Sequence, residues 1–379
     1  MAIPRYSYEF RELLTGRVIG EIPLYGVNFT VKLSDGGNGQ GYFKLDGSNL
    51  PSAYTEADMR RANAEMLEMV EPGKTDLTIY RNGIPLLGGG GEIISNSYNS
   101  QAKVMGVYWR TWESSPDMTH IDEFVTPMSW TNVDQLNIMR ELWNIMQAQP
   151  GANMRVVVPP AYVGVTVGRT LEVNYWERKT YRAVMDDLAK ADDGFDWRVV
   201  VRMLGDIPTK YLELGYPNIG RTSGAFYFEY PTNVAGYYYT RNLSGAGTSF
   251  WVIGEGSGQE APVGRVVNQD TFGRNYRRKD VIISDNQLNS RLVQPRANLE
   301  SQARRMPVAL PTFELNRTDD LDFWVGDWGT LAVIAGDPRF PDGFEAPARI
   351  MQLDINPPSD TENERVSPTF ESLEGGSRN

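Results

Sequence analysis

The chain has 379 residues, 41% hydrophobic and 22% charged, which is the balance of a folded globular protein rather than a disordered one; about two to four compact units are expected at this length. Its formal net charge of -11 weighs against an electrostatic grip on nucleic acid, because that binding needs Lys and Arg to displace counterions from phosphates. With no cysteine there is no disulfide framework, no thiolate zinc site and no cysteine nucleophile.

The opening MAIPRYSYEF lacks a basic stretch followed by an apolar core, so it does not read as a secretory signal. No apolar run approaches the roughly 18 residues needed to cross a bilayer. A soluble protein assembled in a cytoplasm is the expectation. Most of the chain reads as strand, rich in Val, Ile, Tyr and Trp and punctuated by 37 glycines and 23 prolines.

Four helices are expected. The first runs from about Thr55 to Val70, with Thr55 as N-cap, Glu56 and Asp58 in the first turn, and Met59, Ala62, Met66 and Met69 on one face. Pro72 and Gly73 stop it. A second begins at Thr131, with Asp134 three residues on in the manner of a capping box, and continues through Leu136, Met139, Trp143 and Met146 to Pro150 and Gly151. The third, Thr180 to Ala191, carries Val184, Leu188 and Ala191 on one side. The fourth starts near Pro295, tolerated in a first turn, and passes Leu299 and Ala303 to Arg305.

Two stretches share an order. LTIYR (77 to 81) leads through a Gly-Pro-rich turn to GEIIS (91 to 95) and AKVMGVYW (102 to 109); TLAVI (330 to 334) leads through Gly336, Pro338, Pro341 and Gly343 to ARIMQLDI (348 to 355) and ERVSPTFES (364 to 372). Both read as three-strand meanders, which suggests a duplicated β-barrel. Residues 1–112 are assigned to an N-terminal barrel with a helical insert at 49–73, and 113–225 to an α+β domain. A β-rich segment at 226–283 and a C-terminal barrel with one helix at 284–379 complete the division.

The chain offers little to catalysis. His120, its one histidine, lies in the polar stretch SSPDMTHIDEF and reads as a solvated loop residue rather than a triad base. Asp192, Asp193 and Asp196, and Asp319, Asp320 and Asp322, are close enough to suggest calcium, but neither set has the spacing of an EF-hand loop, and both read as exposed turn acids. Glycine runs at Gly88–Gly91 and at Gly254, Gly256 and Gly258 are not followed by helix, as a phosphate cradle requires; hairpin turns with positive φ account for them. With 48 acidic residues, a carboxylate pair at glycosidase separation carries no information. Arg274, Arg277, Arg278 and Lys279 with Tyr276 form a small basic cluster, read as a salt-bridged subunit contact. Tyr237, Tyr238, Tyr239, Phe323, Trp324 and Trp328 suit a barrel core or a protein interface, with sugar binding as the sharper reading. No catalytic, cofactor-binding or metal-ligating residue is assigned.

The order of segments resembles a family, the minor tail proteins of long-tailed phages infecting actinobacteria, which are similar to hub proteins at the tip of phage tails. The resemblance rests on GEIPLYGVNFTVKL (20 to 33), LTIYRNGIPLLGGG (77 to 90), DLAKADDGFDWRV (187 to 199), YLELGYPNIGR (211 to 221), FWVIGEGSG (250 to 258), and VGDWGTLAVI (325 to 334) with ARIMQLDI. It implies a mainly β fold with α+β insertions, in which two tail-tube-like β-barrels flank an α+β domain. It also implies a non-enzymatic homotrimer in the virion, assembled in the host cytoplasm and placed at the tail tip. Its expected neighbours are a distal tail ring, the tape measure and fibres or a spike, with DNA passing through without specific binding. A trimer of chains with two similar barrels presents six near-equivalent barrels, which would let a threefold hub meet a sixfold tube. The competing expectations are a receptor- or carbohydrate-binding tail protein and, after it, a cell-wall-degrading tail enzyme.

Overall fold

The computed structural model describes residues 4–45, 55–122, 128–164, 166–242, 245–256, 258–268, 277–285, 288–304, 308–315, 321–359 and 362–371. The fold is mainly β, with 44% of the described residues in strands and 19% in helices. It divides into two compact units. The first comprises Met1–Tyr227, Leu315–Gly329 and Arg349–Pro368; the second comprises Phe228–Glu314, Thr330–Ala348 and Thr369–Asn379.

The first unit opens with β1 (Tyr6–Glu12), β2 (Val18–Glu21), β3 (Tyr25–Lys32) and β4 (Asn38–Lys44), where buried and open positions alternate along β3 and β4 as expected of strands with one face on a core. Helix α1 (Glu56–Met69) follows. Thr55 and Asp58 form the capping box predicted from sequence, and Met59, Ala62, Met66 and Met69 fall on its less exposed side, yet none of its residues is buried. Strands β5 (Thr75–Arg81), β6 (Ile84–Pro85), β7 (Gly91–Asn99) and β8 (Val104–Arg110) complete the N-terminal part.

These strands join an antiparallel path β21-β3-β4-β8-β7-β5-β1-β2, in which β21 is Phe344–Asn356. Phe10, Phe29, Phe43, Leu77, Ile79, Ile93, Val107 and Trp109 are buried along it. Close approach of neighbouring chains explains part of the glycine run at 88–91. A Cβ on Gly90 would lie 1.9 Å from the Leu77 carbonyl oxygen, and one on Gly91 1.8 Å from that of Arg110. None of these four glycines has positive φ, so the turn conformation expected of them is corrected to tight backbone packing.

The α+β part of the same unit holds β9 (Met128–Asp134), α2 (Gln135–Ala148), β10 (Val156–Val157), β11 (Gly168–Val173), α3 (Tyr181–Ala189), β12 (Asp196–Leu204) and β13 (Ile207–Gly215). Helix α2 starts four residues later than expected from Thr131. Thr131 belongs to β9, which pairs with β11, and Asp134 is itself the N-cap, accepting from the amides of Leu136 and Asn137 at 2.9 and 3.3 Å. Leu136, Met139, Leu142, Trp143 and Met146 then face the strands and α3, and Trp143 meets Trp197 edge-on with centroids 6.1 Å apart. Strands β10, β13 and β12 form a separate three-stranded sheet.

The second unit contains β14 (Tyr227–Tyr230), β15 (Val234–Asn242), β16 (Ser249–Ile253), β17 (Val263–Val267), β18 (Asp280–Ser284), α4 (Val293–Arg304), β19 (Val308–Leu315) and β20 (Trp328–Val333); β22 (Arg365–Phe370) enters it at its end. Helix α4 starts before Pro295, close to the predicted position, and covers one face of the β17-β16-β18 sheet through Val252, Val293 and Ala297. Tyr230, Tyr237, Phe313 and Phe370 pack through ring contacts of 5.3 to 5.9 Å.

Strands β5, β7 and β8 pair in succession, and so do β20, β21 and β22, the two meanders read from sequence. No sheet closes into a barrel among the described residues. The sheets are open where two closed barrels were expected, because among the described residues the last strand of the path, β2, pairs only with β1.

Candidate functional site

The residues singled out from sequence do not converge on a reactive centre. His120 is exposed and makes a bridge to Thr180; with Glu92 and Asp122 it lines an open cleft of about 470 Å³. Asp192 and Asp193 are exposed, whereas Asp196 is buried, accepts from the Ile219 amide at 3.0 Å and pairs with Arg349. Asp319 and Asp320 lie outside the described residues; Asp322 is exposed. No cluster of three or more His, Asp or Glu suited to a metal occurs among the described residues.

Of the basic cluster, Arg274 and Tyr276 lie outside the described residues, and Arg278 pairs with its neighbour Asp280 at 3.0 Å. In the second glycine run Gly256 and Gly258 do have positive φ, as expected, while a Cβ on Gly254 would lie 2.2 Å from the Leu288 carbonyl oxygen. Tyr237 donates to Asp337 at 2.6 Å inside the aromatic packing, Tyr238 is 69% exposed, and Phe323 and Trp324 are buried.

What sequence reasoning missed is a set of buried charges in the first unit. Arg81 grips Glu364 through two bonds of 2.8 Å, with side chains 7% and 2% exposed, and the Tyr6 hydroxyl donates to the same carboxylate at 2.6 Å. Arg349 adds bonds to the Gly326 carbonyl and Asn218 Oδ1, both at 3.1 Å. Arg198 pairs with Glu213 at 2.8 Å and donates to the Val325 carbonyl. Planar guanidinium forks suit such multiple bonding to carboxylate and carbonyl oxygens.

Asp76 and Glu92 are direct cross-strand partners on β5 and β7, and both are buried. Burial pushes the Glu92 carboxyl up, the Asp76 charge pushes the same way, and the Ser115 hydroxyl opposes them. Glu113, fully enclosed, is also pushed up by burial although it accepts from the Val199 amide at 2.8 Å.

Asp76 also lines a cleft of about 520 Å³ with Arg11, Gly16, Thr78, Arg155, Val157, Leu204, Ile207 and Lys210 among its walls. One carboxylate oxygen, Oδ2, accepts from Lys210 Nζ at 2.7 Å and from Trp112 Nε1 at 3.3 Å; the other, Oδ1, is buried and has no hydrogen-bond partner among the described residues. Arg155 lies over Gly16, where a Cβ would stand 3.0 Å from its Nε, and Gly16 has φ +71°. Arg11 is paired with Glu9 at 2.6 Å, while Arg155 has no ion pair among the described residues. Val157, Leu204 and Ile207 are 44%, 64% and 62% exposed.

No protein-family model matches the chain, and no curated protein matches it in sequence. Solved structures do match. A tail protein from Neisseria meningitidis superposes with a TM-score of 0.60 at 9% identity, covering 97% of each chain. The 43 kDa tail protein of prophage MuSo2 from Shewanella oneidensis gives 0.60 at 10% identity, covering 97% of this chain and 98% of that one. Prophage tail protein gp18 from Listeria monocytogenes gives 0.52 at 11% identity, with 97% and 95% covered. From end to end, the chain has a fold found in phage tail proteins.

Proposed function

We propose that the chain is a non-enzymatic structural subunit of a phage virion, a minor tail protein of the baseplate hub that assembles as a homotrimer at the tail tip. The observation that carries this reading is the extent of the fold likeness, 97% of the chain against tail proteins of nearly equal length. A shared fold alone does not assign an activity. The buried charges add support, since Arg81, Arg198 and Arg349 are spent on internal carboxylates and carbonyls rather than on an open reactive pocket.

On this reading the two meanders, β5-β7-β8 and β20-β21-β22, mark two related modules of the tail-tube kind, and three copies offer six such modules to a sixfold tube. The four-part division at 1–112, 113–225, 226–283 and 284–379 belongs to the same proposal, as do the distal tail ring and tape measure above and fibres or a spike below. The net charge of -11, where it faces a lumen, repels phosphate and lets DNA pass without sticking. An actinobacterial host follows from the resemblance in sequence pattern.

Sedimentation of the purified protein tests the assembly. Three chains of 42.6 kDa give a particle of about 128 kDa. A trimer supports the reading; a stable dimer, whose twofold axis cannot tile a threefold ring, contradicts it.

A further inference from the structure

The cleft at Asp76 has features of a recognition site that packing alone does not explain. Three of its four charged lining residues, Arg11, Arg155 and Lys210, are cations on a chain whose net charge is -11. Two of the three are neutralised, Arg11 by Glu9 and Lys210 by Asp76, which leaves Arg155 as the cation open to an incoming anion. Beside these polar groups, Leu204 and Ile207 face each other across the tip of the β12–β13 hairpin, and with Val157 they expose an apolar wall. Apolar anchors beside a few fixed polar groups are the composition of a protein interface.

We propose that this cleft receives an extended acidic segment of another protein, held by a carboxylate on Arg155 and by apolar side chains against Val157, Leu204 and Ile207. Charge complementarity selects an acidic occupant over a basic one. An extended chain presents side chains to alternate sides at a repeat of about 7 Å, so one segment can offer a carboxylate to one wall and an apolar group to the other. The site stands on the cleft itself and holds whether or not the chain belongs to a tail hub.

The test uses the full chain and two fluorescein-labelled peptides, one alternating Asp and Leu, the other alternating Lys and Leu, with anisotropy as the readout. The Asp-Leu peptide is expected to bind saturably and to weaken with added salt. Arg155→Glu is expected to weaken it at least tenfold, and Leu204→Ser with Ile207→Ser to do the same at constant salt. All three positions are exposed, so thermal unfolding of the variants should match the parent, which separates lost binding from lost folding. Absence of saturable binding, equal binding of the Lys-Leu peptide, or indifference to Arg155→Glu would overturn the proposal. So would self-association of the parent that the same variants abolish, because the occupant would then be a second copy of this chain.

Discussion

Removing the Arg81 guanidinium while keeping its bulk, Arg81→Met, leaves the Glu364 carboxylate 2% exposed with its two 2.8 Å bonds gone. Breaking a buried pair from one side costs about 3 to 5 kcal/mol, since the surviving charge has lost both water and partner. The Tyr6 hydroxyl still donates to Glu364, which places Arg81→Met near the lower end of that range. Glu364→Leu takes the carboxylate from the buried guanidinium of Arg81 and loses the Tyr6 bond as well, so it belongs at the upper end. The double variant buries neither charge; it should fall within about 1 to 2 kcal/mol of the parent, the remainder being mainly the unpaired Tyr6 hydroxyl. A coupling of about 6 kcal/mol is thus expected from the cycle, the two singles together costing far more than the double. In a unit of this size each kcal/mol moves Tm by roughly 2 °C, so the singles should melt about 6 to 10 °C low and the double should recover most of that. Urea unfolding of the four proteins measures it. A double variant as unstable as the worse single would refute the assignment of the cost to stranded charge.

Folding raises the Glu92 carboxyl, so its contribution to stability is fully present below the carboxyl's unfolded value and is lost as pH rises through the folded one. Glu92→Gln should therefore gain on the parent as pH increases from about 4 to 8; parallel pH-stability curves would contradict this. Gly90→Ala must drive a Cβ into the Leu77 carbonyl and should cost roughly 4 kcal/mol or more, whereas Gly83→Ala, at φ +79° with open space around it, should cost about 1 kcal/mol. Comparing soluble yield and urea midpoints separates them, and similar losses would count against the tight-approach account. Thr55→Ala removes one half of a capping box worth about 1 kcal/mol to α1. Because α1 buries none of its residues, faster amide exchange across 56–69 with an unchanged global Tm is expected, and a lowered Tm would show that α1 supports the core.

Features governed by neighbours along the chain were legible in the sequence. Thr55, Thr180 and the helical spacing after Leu136 located α1, α3 and the body of α2, and alternation located the strands of both meanders. The start of α2 differs from the expectation for a local reason, since Thr131 and Asp134 have the spacing of a capping box while Thr131 lies within β9, at an irregularity in its pairing with β11. Features governed by distant pairing left no local signal. Arg81 and Glu364 stand 283 positions apart, Asp76 and Lys210 134 apart, and only the fold brings them together. The Gly88–Gly91 run packs tightly instead of turning, because the sequence shows which residues lack a Cβ but not which backbone approaches them. Closure of the sheets, likewise, depends on which edges meet, and hydrophobic alternation is silent on that.

If this chain tiles a ring at the tip of a phage tail, its position should be visible in the assembled virion. Electron microscopy of phage particles carrying the chain with a label at one exposed loop away from the Asp76 cleft, such as the β7–β8 turn at 99–103, tests this without intermediate steps. Label confined to the distal end of the tail, in threefold arrangement about its axis, is the expected result. Particles without the label, or label repeated along the length of the tube, would contradict it.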